Sequence, residues 1–273
     1  MEYTVLYKDF KKKAVTLSFD DGTFYDVLFV EFLNKYGLKC TFNLNSALFG
    51  AIANLNFRNK IIFHNRISEE QTSILYKGHE IASHSLHHPL LTNASKELLD
   101  KEILEDAVNL SRISGEKVVG FAIPGGPHDA FLDNYLKDKF LYARTVDNTY
   151  SYDLPETFVP LNPSIFILDE KFEKFCSDYT GYKSENMSLL YIWGHSYEFA
   201  IEGVAETFKK VCMTLLSDKD IYFGTNKDVI TYIRDSRLLK FDGKQFINPS
   251  DSEIYLDYKG KRMIIRAKSS TRA

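Results

Sequence analysis

Cysteine is scarce and scattered. Cys40, Cys176 and Cys212 are odd in number and form no CxxC pair, so neither a disulfide framework nor a thiolate zinc site is expected. No apolar run reaches membrane-spanning length. The opening stretch "MEYTVLYKDFKKKAVTLSF" lacks the succession of basic, apolar and small-residue regions of a cleavable leader. The chain as written is therefore expected to be cytoplasmic, or secreted or at the cell surface if a leader has been removed. A positive field is also missing. The formal charge is -3 and no Lys/Arg stripe alternates with aromatics, which argues against a nucleic-acid partner. There is no internal repeat and no low-complexity segment.

What is present is enough apolar surface for one large core: 44% of 273 residues are hydrophobic, which fits one barrel-sized domain or two small ones. Short β-rich runs alternate with helical patterns from the start, as in βα units around a parallel sheet. "AVTLSF" (14–19) reads as a strand. In Asp26–Tyr36 the spacing puts Phe29, Phe32, Leu33 and Tyr36 on one helical face, with Gly37 at the C-terminal cap. "KCTFNL" (39–44) is the next strand, and after a less regular region "SEEQTSILYKG" reads as a helix leading into the strand "HEIAS" (79–83). Residues 95–115 carry Leu99, Ile103, Ala107 and Leu110 at helical spacing between a capping serine and Gly115. Further strands are expected in "KVVGFAI", "FLYART", "SIFIL", "SLLYIW" and "IYFG".

About eight strands interleaved with helices predict an α/β fold, a distorted or incomplete (β/α) barrel over residues 1–237. From Leu238 the texture changes to short alternating runs with turns at Asp242-Gly243 and Lys259-Gly260. Residues 238–273 are therefore expected to form a small antiparallel β appendage, ending in a frayed tail "KSSTRA".

The chemistry lies at the strand ends. "AVTLSF" runs into Asp20-Asp21-Gly22, "HEIAS" into His84, "KVVGFAI" into Pro124-Gly125-Gly126, "FLYA" into Arg144 and "LLYIW" into Gly194-His195. A parallel barrel opens all its C-terminal strand ends on one rim, where barrel active sites are built. Taken singly, each feature is more often a turn, a packing residue or a surface histidine. Together they are complementary: two imidazoles and a carboxylate hold a divalent ion with a position left for water. A second carboxylate beside the ligand stays ionised as a base. Spacing alone allows His84 to pair with His87 or with His88.

The segments "LSFDDG", "SHSLHHPLL", "GFAIPGG" and "LYIWGHSYEF" occur in that order, and together they resemble the motif series of the polysaccharide deacetylases, the NodB-homology or carbohydrate esterase family 4 domain. The resemblance runs from Val15 to Gly224 and implies a distorted (β/α) barrel. It implies that Asp20 is the catalytic base, that Asp21, His84 and His88 are metal ligands with His87 a bystander, that Gly125 offers a backbone N–H to an oxyanion, and that His195 is the general acid. One divalent metal is implied, zinc by default for a His/His/Asp set, with nickel, cobalt or manganese compatible.

The pattern departs at Ala122, where many relatives place an arginine that orients the base; Arg144 is the candidate replacement. The family's Asp-Trp support for the acid is also not evident, and Asp147 and Glu198 are the candidates for that task. The expected activity is removal of N-acetyl groups from the amino sugars of an acetylated carbohydrate, releasing acetate. Competing readings are an O-acetyl esterase or small-molecule amidase on the same metal site, and a catalytically idle carbohydrate-binding domain. Trp193, Tyr150 and Tyr152 are near enough to these loops to stack on sugar rings, although packing explains each singly. His64, His79 and His128 are given no role.

Overall fold

A computed structural model describes residues 3–58 and 60–273. The run expected as the first strand becomes Lys13–Asp20, buried along its whole length, as a strand covered on both faces must be. Around it lies a curled parallel sheet in the order Tyr142–Arg144, Gly120–Ala122, Glu80–Ser83, Thr41–Leu44, Lys13–Asp20, Ser188–His195, Ile165–Phe166. Ile221–Phe223 joins beside the first half of Lys13–Asp20, through Ile221↔Lys13 to Phe223↔Val15, whereas Thr41–Leu44 flanks the second half from Ser18↔Thr41 onward. The register Ser188↔Lys13 to His195↔Asp20 places the last residues of two strands side by side.

The two ends of the curled sheet approach each other. Arg144 forms a parallel bridge with Leu161, where Thr145 N–H donates to Leu161 O at 3.0 Å and Leu161 N–H to Ala143 O at 2.8 Å. That segment then runs into Ile165–Phe166. Side chains at the rim can therefore meet across the mouth.

Helices cover the outer face. Asp26–Tyr36 buries Phe29, Val30 and Leu33 and ends at Gly37 with φ 68°. Glu69–Leu75 begins in a capping box between Ser68 and Gln71. Residues 96–114 form the long helix expected there, capped by Ser95 and Gly115, but Asp100–Glu105 is a π-helical turn. Its cause is visible: Leu86 N–H donates to the backbone oxygen of Glu102 at 2.8 Å, which takes that carbonyl out of the α ladder.

Residues 238–273 form antiparallel strands, and two features there differ from expectation. The chain's beginning, Tyr3–Leu6, pairs with Ile254–Tyr258 and completes their sheet; a four-residue run is too short to declare its partner from sequence. The segment expected to fray instead pairs, as Ser269–Arg272, with Gln245–Asn248. Backbone hydrogen bonds hold it, so its polar side chains gave no signal. A second core containing Leu6, Tyr7, Ile233, Phe246 and Leu256 joins this unit to the barrel. The less regular region contains a hairpin, Asn54–Phe57 with Lys60–Phe63. All three cysteines are buried free thiols. No helix among the described residues is long and apolar enough to cross a membrane.

Candidate active site

The turn after Lys13–Asp20 carries two successive left-handed residues, Asp21 at φ 85° and Gly22 at φ 67°. At Gly22 an added Cβ would also come within 2.7 Å of Leu44 Cδ2, so glycine is required on two counts. Asp21 N–H donates to Asn43 O at 2.9 Å, and Ile67 N–H to Gly22 O at 3.0 Å. In regular strand, neighbouring side chains point to opposite faces. Here the turn brings both Asp20 and Asp21 to one cavity of about 540 Å³, also lined by His84, His88, Gly125 and His195.

Asp20 is nearly buried and densely held. Arg144, with no exposed side-chain surface, places Nη2 2.6 Å from one carboxylate oxygen and 2.5 Å from the other. Asn43 Nδ2 donates to Oδ1 at 2.8 Å. Burial pushes the Asp20 carboxyl up, but Arg144, His84 and His195 outweigh it, and the net shift is downward. Arg144 also lies 4.8 Å over the Trp193 ring. Trp193 donates from Nε1 to Asn148 Oδ1 at 3.0 Å and stacks on Phe166.

Asp21, His84 and His88 each offer one ligand atom, all within 4.8 Å of one another. His84 Nδ1 lies 2.8 Å from Ala122 O; a carbonyl only accepts, so Nδ1 carries the proton and Nε2 keeps its lone pair. Burial lowers the His84 pKa to about 4, against the pull of Asp20, which keeps the ring in its metal-binding neutral form. Burial raises the Asp21 carboxyl, but His64, Arg66 and the neighbouring histidines take it well below the usual range. His64 Nε2 is 3.0 Å from Oδ2 and Arg66 Nη2 2.9 Å from Oδ1. The Arg66 approach is an ion pair without hydrogen-bond alignment, which leaves the buried Oδ1 with no hydrogen bond. A carboxylate with an uncommitted oxygen beside the imidazoles of His84 and His88 fits a divalent cation.

The loop "SHSLHHP" carries both imidazoles. Ser85 and His88 take positive φ, 65° and 60°, strain that surrounding contacts must hold. Asn45 Nδ2 donates to the backbone oxygens of His84 and Ser85 at 2.5 and 2.9 Å, and Ser85 Oγ accepts from His88 N–H at 3.0 Å. His87 also borders the cavity but is engaged by Glu102, which accepts from its backbone N–H and faces its Nδ1, both at 2.9 Å.

His195 Nε2 is 3.9 Å from Asp20 Oδ2, the oxygen that His84 Nε2 also approaches, at 3.8 Å, within the shared cavity. Its Nδ1 is 3.0 Å from Glu198 Oε1, and its backbone N–H donates to Glu198 Oε2 at 3.0 Å. Burial alone would lower the His195 pKa, but Glu198 and the two aspartates raise it to about 9. The glycine before it matters as well: a Cβ on Gly194 would come 3.1 Å from Glu198 Oε2 and 2.7 Å from Ile167. Gly125, at φ 67°, lines the cavity. Gly126 spends its N–H on Ile123 O at 3.1 Å.

Of the candidates from sequence, Arg144 and Glu198 are placed in contact with Asp20 and His195, whereas Asp147 is not. His64, left without a role, is on Asp21. Asn43, Asn45 and Arg66 were missed. Tyr152 packs among Phe175, Tyr179 and Tyr182, Tyr150 bonds Asp169 at 2.6 Å, and His128 pairs with Asp133 at 3.0 Å; none of these three lines the cavity.

Among families of known sequence, polysaccharide deacetylase matches residues 7–141. Among solved structures, the chain resembles a putative polysaccharide deacetylase from Mycobacterium smegmatis, with 16% identity and a TM-score of 0.59 over 86% of this chain and 94% of that one. A family 4 carbohydrate esterase from Streptomyces lividans in complex with acetate gives 17% and 0.52, over 78% and 93%. Puue allantoinase gives 11% and 0.60, over 82% and 91%. At these identities the likeness is one of fold. No curated protein matches the chain.

Proposed function

Since the chain belongs, through residues 7–141, to the polysaccharide deacetylase family, we propose that it is a metal-dependent hydrolase removing N-acetyl groups from amino sugars. The observation that carries this reading is the position of Asp20, with Oδ2 3.8 Å from His84 Nε2 and 3.9 Å from His195 Nε2. A base within reach of both a ligand histidine and an acid is what metal-assisted amide hydrolysis needs.

In this reading Asp21, His84 and His88 hold one divalent ion, zinc by default. Bound there, the ion supplies Lewis acidity to water and to the acetyl carbonyl. Asp20, kept ionised and aimed by Arg144 and Asn43, takes the proton of the attacking water. The turn bond to Ile123 O is donated by Gly126, and the Gly125 N–H donates to the developing oxyanion. His195, held as imidazolium by Glu198, gives its proton to the departing amine, a step that an amide needs more than an ester does. Acetate and a free amino sugar leave. The Arg144 contact supports turnover over an idle binding domain, because a pure binder has no use for an oriented base.

Elemental analysis of the purified chain, with acetate release from N-acetylated and O-acetylated oligosaccharides before and after chelation, tests this. One equivalent of divalent metal and chelator-sensitive release from the amide are expected. Release from esters alone would sink the N-deacetylase reading.

A further inference from the structure

Acidic residues number 37 in 273, yet none lies between Glu31 and Glu69, a stretch that holds Lys35, Lys39, Arg58, Lys60 and Arg66. Within it the hairpin Asn54–Phe57 with Lys60–Phe63 borders the cavity. Ile62 points inward and is buried, and Leu55 lines the cavity. The opposite face presents Ile61 and Phe63, 76% and 58% exposed, opposite Asn56 and Asn54, and Ile52 just before the hairpin is 87% exposed.

These are not isolated. Phe24 follows the strand Lys13–Asp20, Leu90 follows Glu80–Ser83 and Phe131 follows Gly120–Ala122, and all three are exposed. In a parallel barrel, segments that follow successive strands emerge on one rim, so these three side chains share a rim with the hairpin, which follows the strand Thr41–Leu44. Single exposed apolar residues are ordinary, but a shared patch marks an interaction surface. Aliphatic groups and phenyl rings suit acyl chains. Arg58 and Lys60, exposed at the hairpin tip, add cationic charge that no neighbouring carboxylate in the stretch offsets, which complements anionic headgroups.

We propose that this rim docks on an anionic lipid bilayer, so that the cavity faces acetylated amino sugars displayed at that surface. The choice of substrate rests on the deacetylation proposed above; the docking does not. The test is co-sedimentation of the full chain with phosphatidylglycerol/phosphatidylcholine vesicles and with phosphatidylcholine alone. Binding to the anionic vesicles, weakened by salt, is expected. An Ile61→Ser/Phe63→Ser variant should bind about tenfold more weakly, and Arg58→Gln/Lys60→Gln should lose the preference for anionic lipid. Both change exposed side chains, and both should keep the parent's rate on a soluble N-acetylated oligosaccharide. On an N-acetylglucosaminyl diacylglycerol in the same vesicles the first variant should fall about tenfold, in step with its binding.

No binding by the parent, or equal binding by both variants, would overturn the proposal. So would a parent dimer that Ile61→Ser/Phe63→Ser dissolves, or parent binding to soluble glycan that the same change abolishes, since these give the rim to a second copy or to sugar. Vesicle binding without acetate release from either substrate would leave the docking supported and the deacetylase reading refuted.

Discussion

Arg144 and Asp20 lie 124 residues apart in sequence and meet as a buried ion pair across the mouth of the barrel, Nη2 contacting both carboxylate oxygens. The pair exists because the sheet curls, so that a guanidinium at the end of its edge strand Tyr142–Arg144 reaches the end of the inner strand Lys13–Asp20. At the strand-end position where many relatives carry the arginine, this chain has Ala122, whose carbonyl instead fixes the tautomer of His84. In this chain the cation on Asp20 comes from the neighbouring strand, with Ala122↔Arg144 in register.

Replacing Arg144 by Met keeps volume and removes the charge. A buried carboxylate stripped of its partner costs about 3–5 kcal/mol, and Asp20, left to the effect of burial, gains a proton more readily. Arg144→Met should therefore lower thermal stability and turnover while metal content stays at one equivalent. Full turnover in that variant, measured by acetate release, would remove Arg144 from the mechanism.

Ligands and base should separate in their phenotypes. His84→Ala and His88→Ala are expected to lose bound metal and activity together. Asp20→Asn should keep its metal and lose turnover by a factor of about 10²–10⁴, the usual contribution of a positioned base. Metal analysis beside single-turnover assays tells the two apart, and a fully active Asp20→Asn would show the assigned base to be wrong.

The eight barrel strands were legible because each is an apolar β-rich run, and charged or glycine-rich residues at their ends announced the rim. Asp20, Asp21, His84 and His195 could be named for the same reason, whereas His88 is preferred to His87 only through the family resemblance. Asn43 and Asn45 could not, since an uncharged amide becomes informative only when its partners, Asp20 and the His84–Ser85 backbone, are known to be adjacent. His64 and Arg66 were hidden by the hairpin before them, whose four-residue strands, half exposed, show neither a clean period of two nor an apolar run. Spacing could not choose between His87 and His88. The positive φ of His88 and the Glu102 contact of His87, which turn the two rings apart, are long-range outcomes of packing against the π-helical turn.

Glu80 gives a pH dependence remote from the rim. It is buried at the start of its strand, bonded by Thr41, Tyr142 and the Lys227 N–H, and burial outweighs these donors to raise its pKa from 4.5 to about 7. Between those values the folded chain holds a proton that the unfolded chain releases, so unfolding free energy falls as pH rises through this window. The contribution is complete below about 4.5, lost above about 7, and at most about 3 kcal/mol. Glu80→Gln, whose carbonyl can face Thr41 and Lys227 and whose amide can face Tyr142, should flatten denaturant-measured stability between pH 5 and 7. An unchanged slope would show that Glu80 ionises normally.

Glu198 decides whether His195 can act as an acid. The carboxylate fixes the ring through Nδ1 and, after the opposing effect of burial, is the main cause of the rise in its pKa to about 9. Glu198→Gln keeps the shape and removes the charge, so the imidazolium should lose its proton at lower pH and the alkaline limb of the activity profile should move down. The loss should depend on the leaving group. An amide nitrogen must be protonated as it departs, and turnover of N-acetylated sugar should fall by about 10² or more, the scale of general acid catalysis. An aryl acetate leaves as a stabilised phenolate and should be nearly unaffected. Equal losses on amide and aryl ester would mean that Glu198 supports the fold of the rim and that the proton comes from elsewhere.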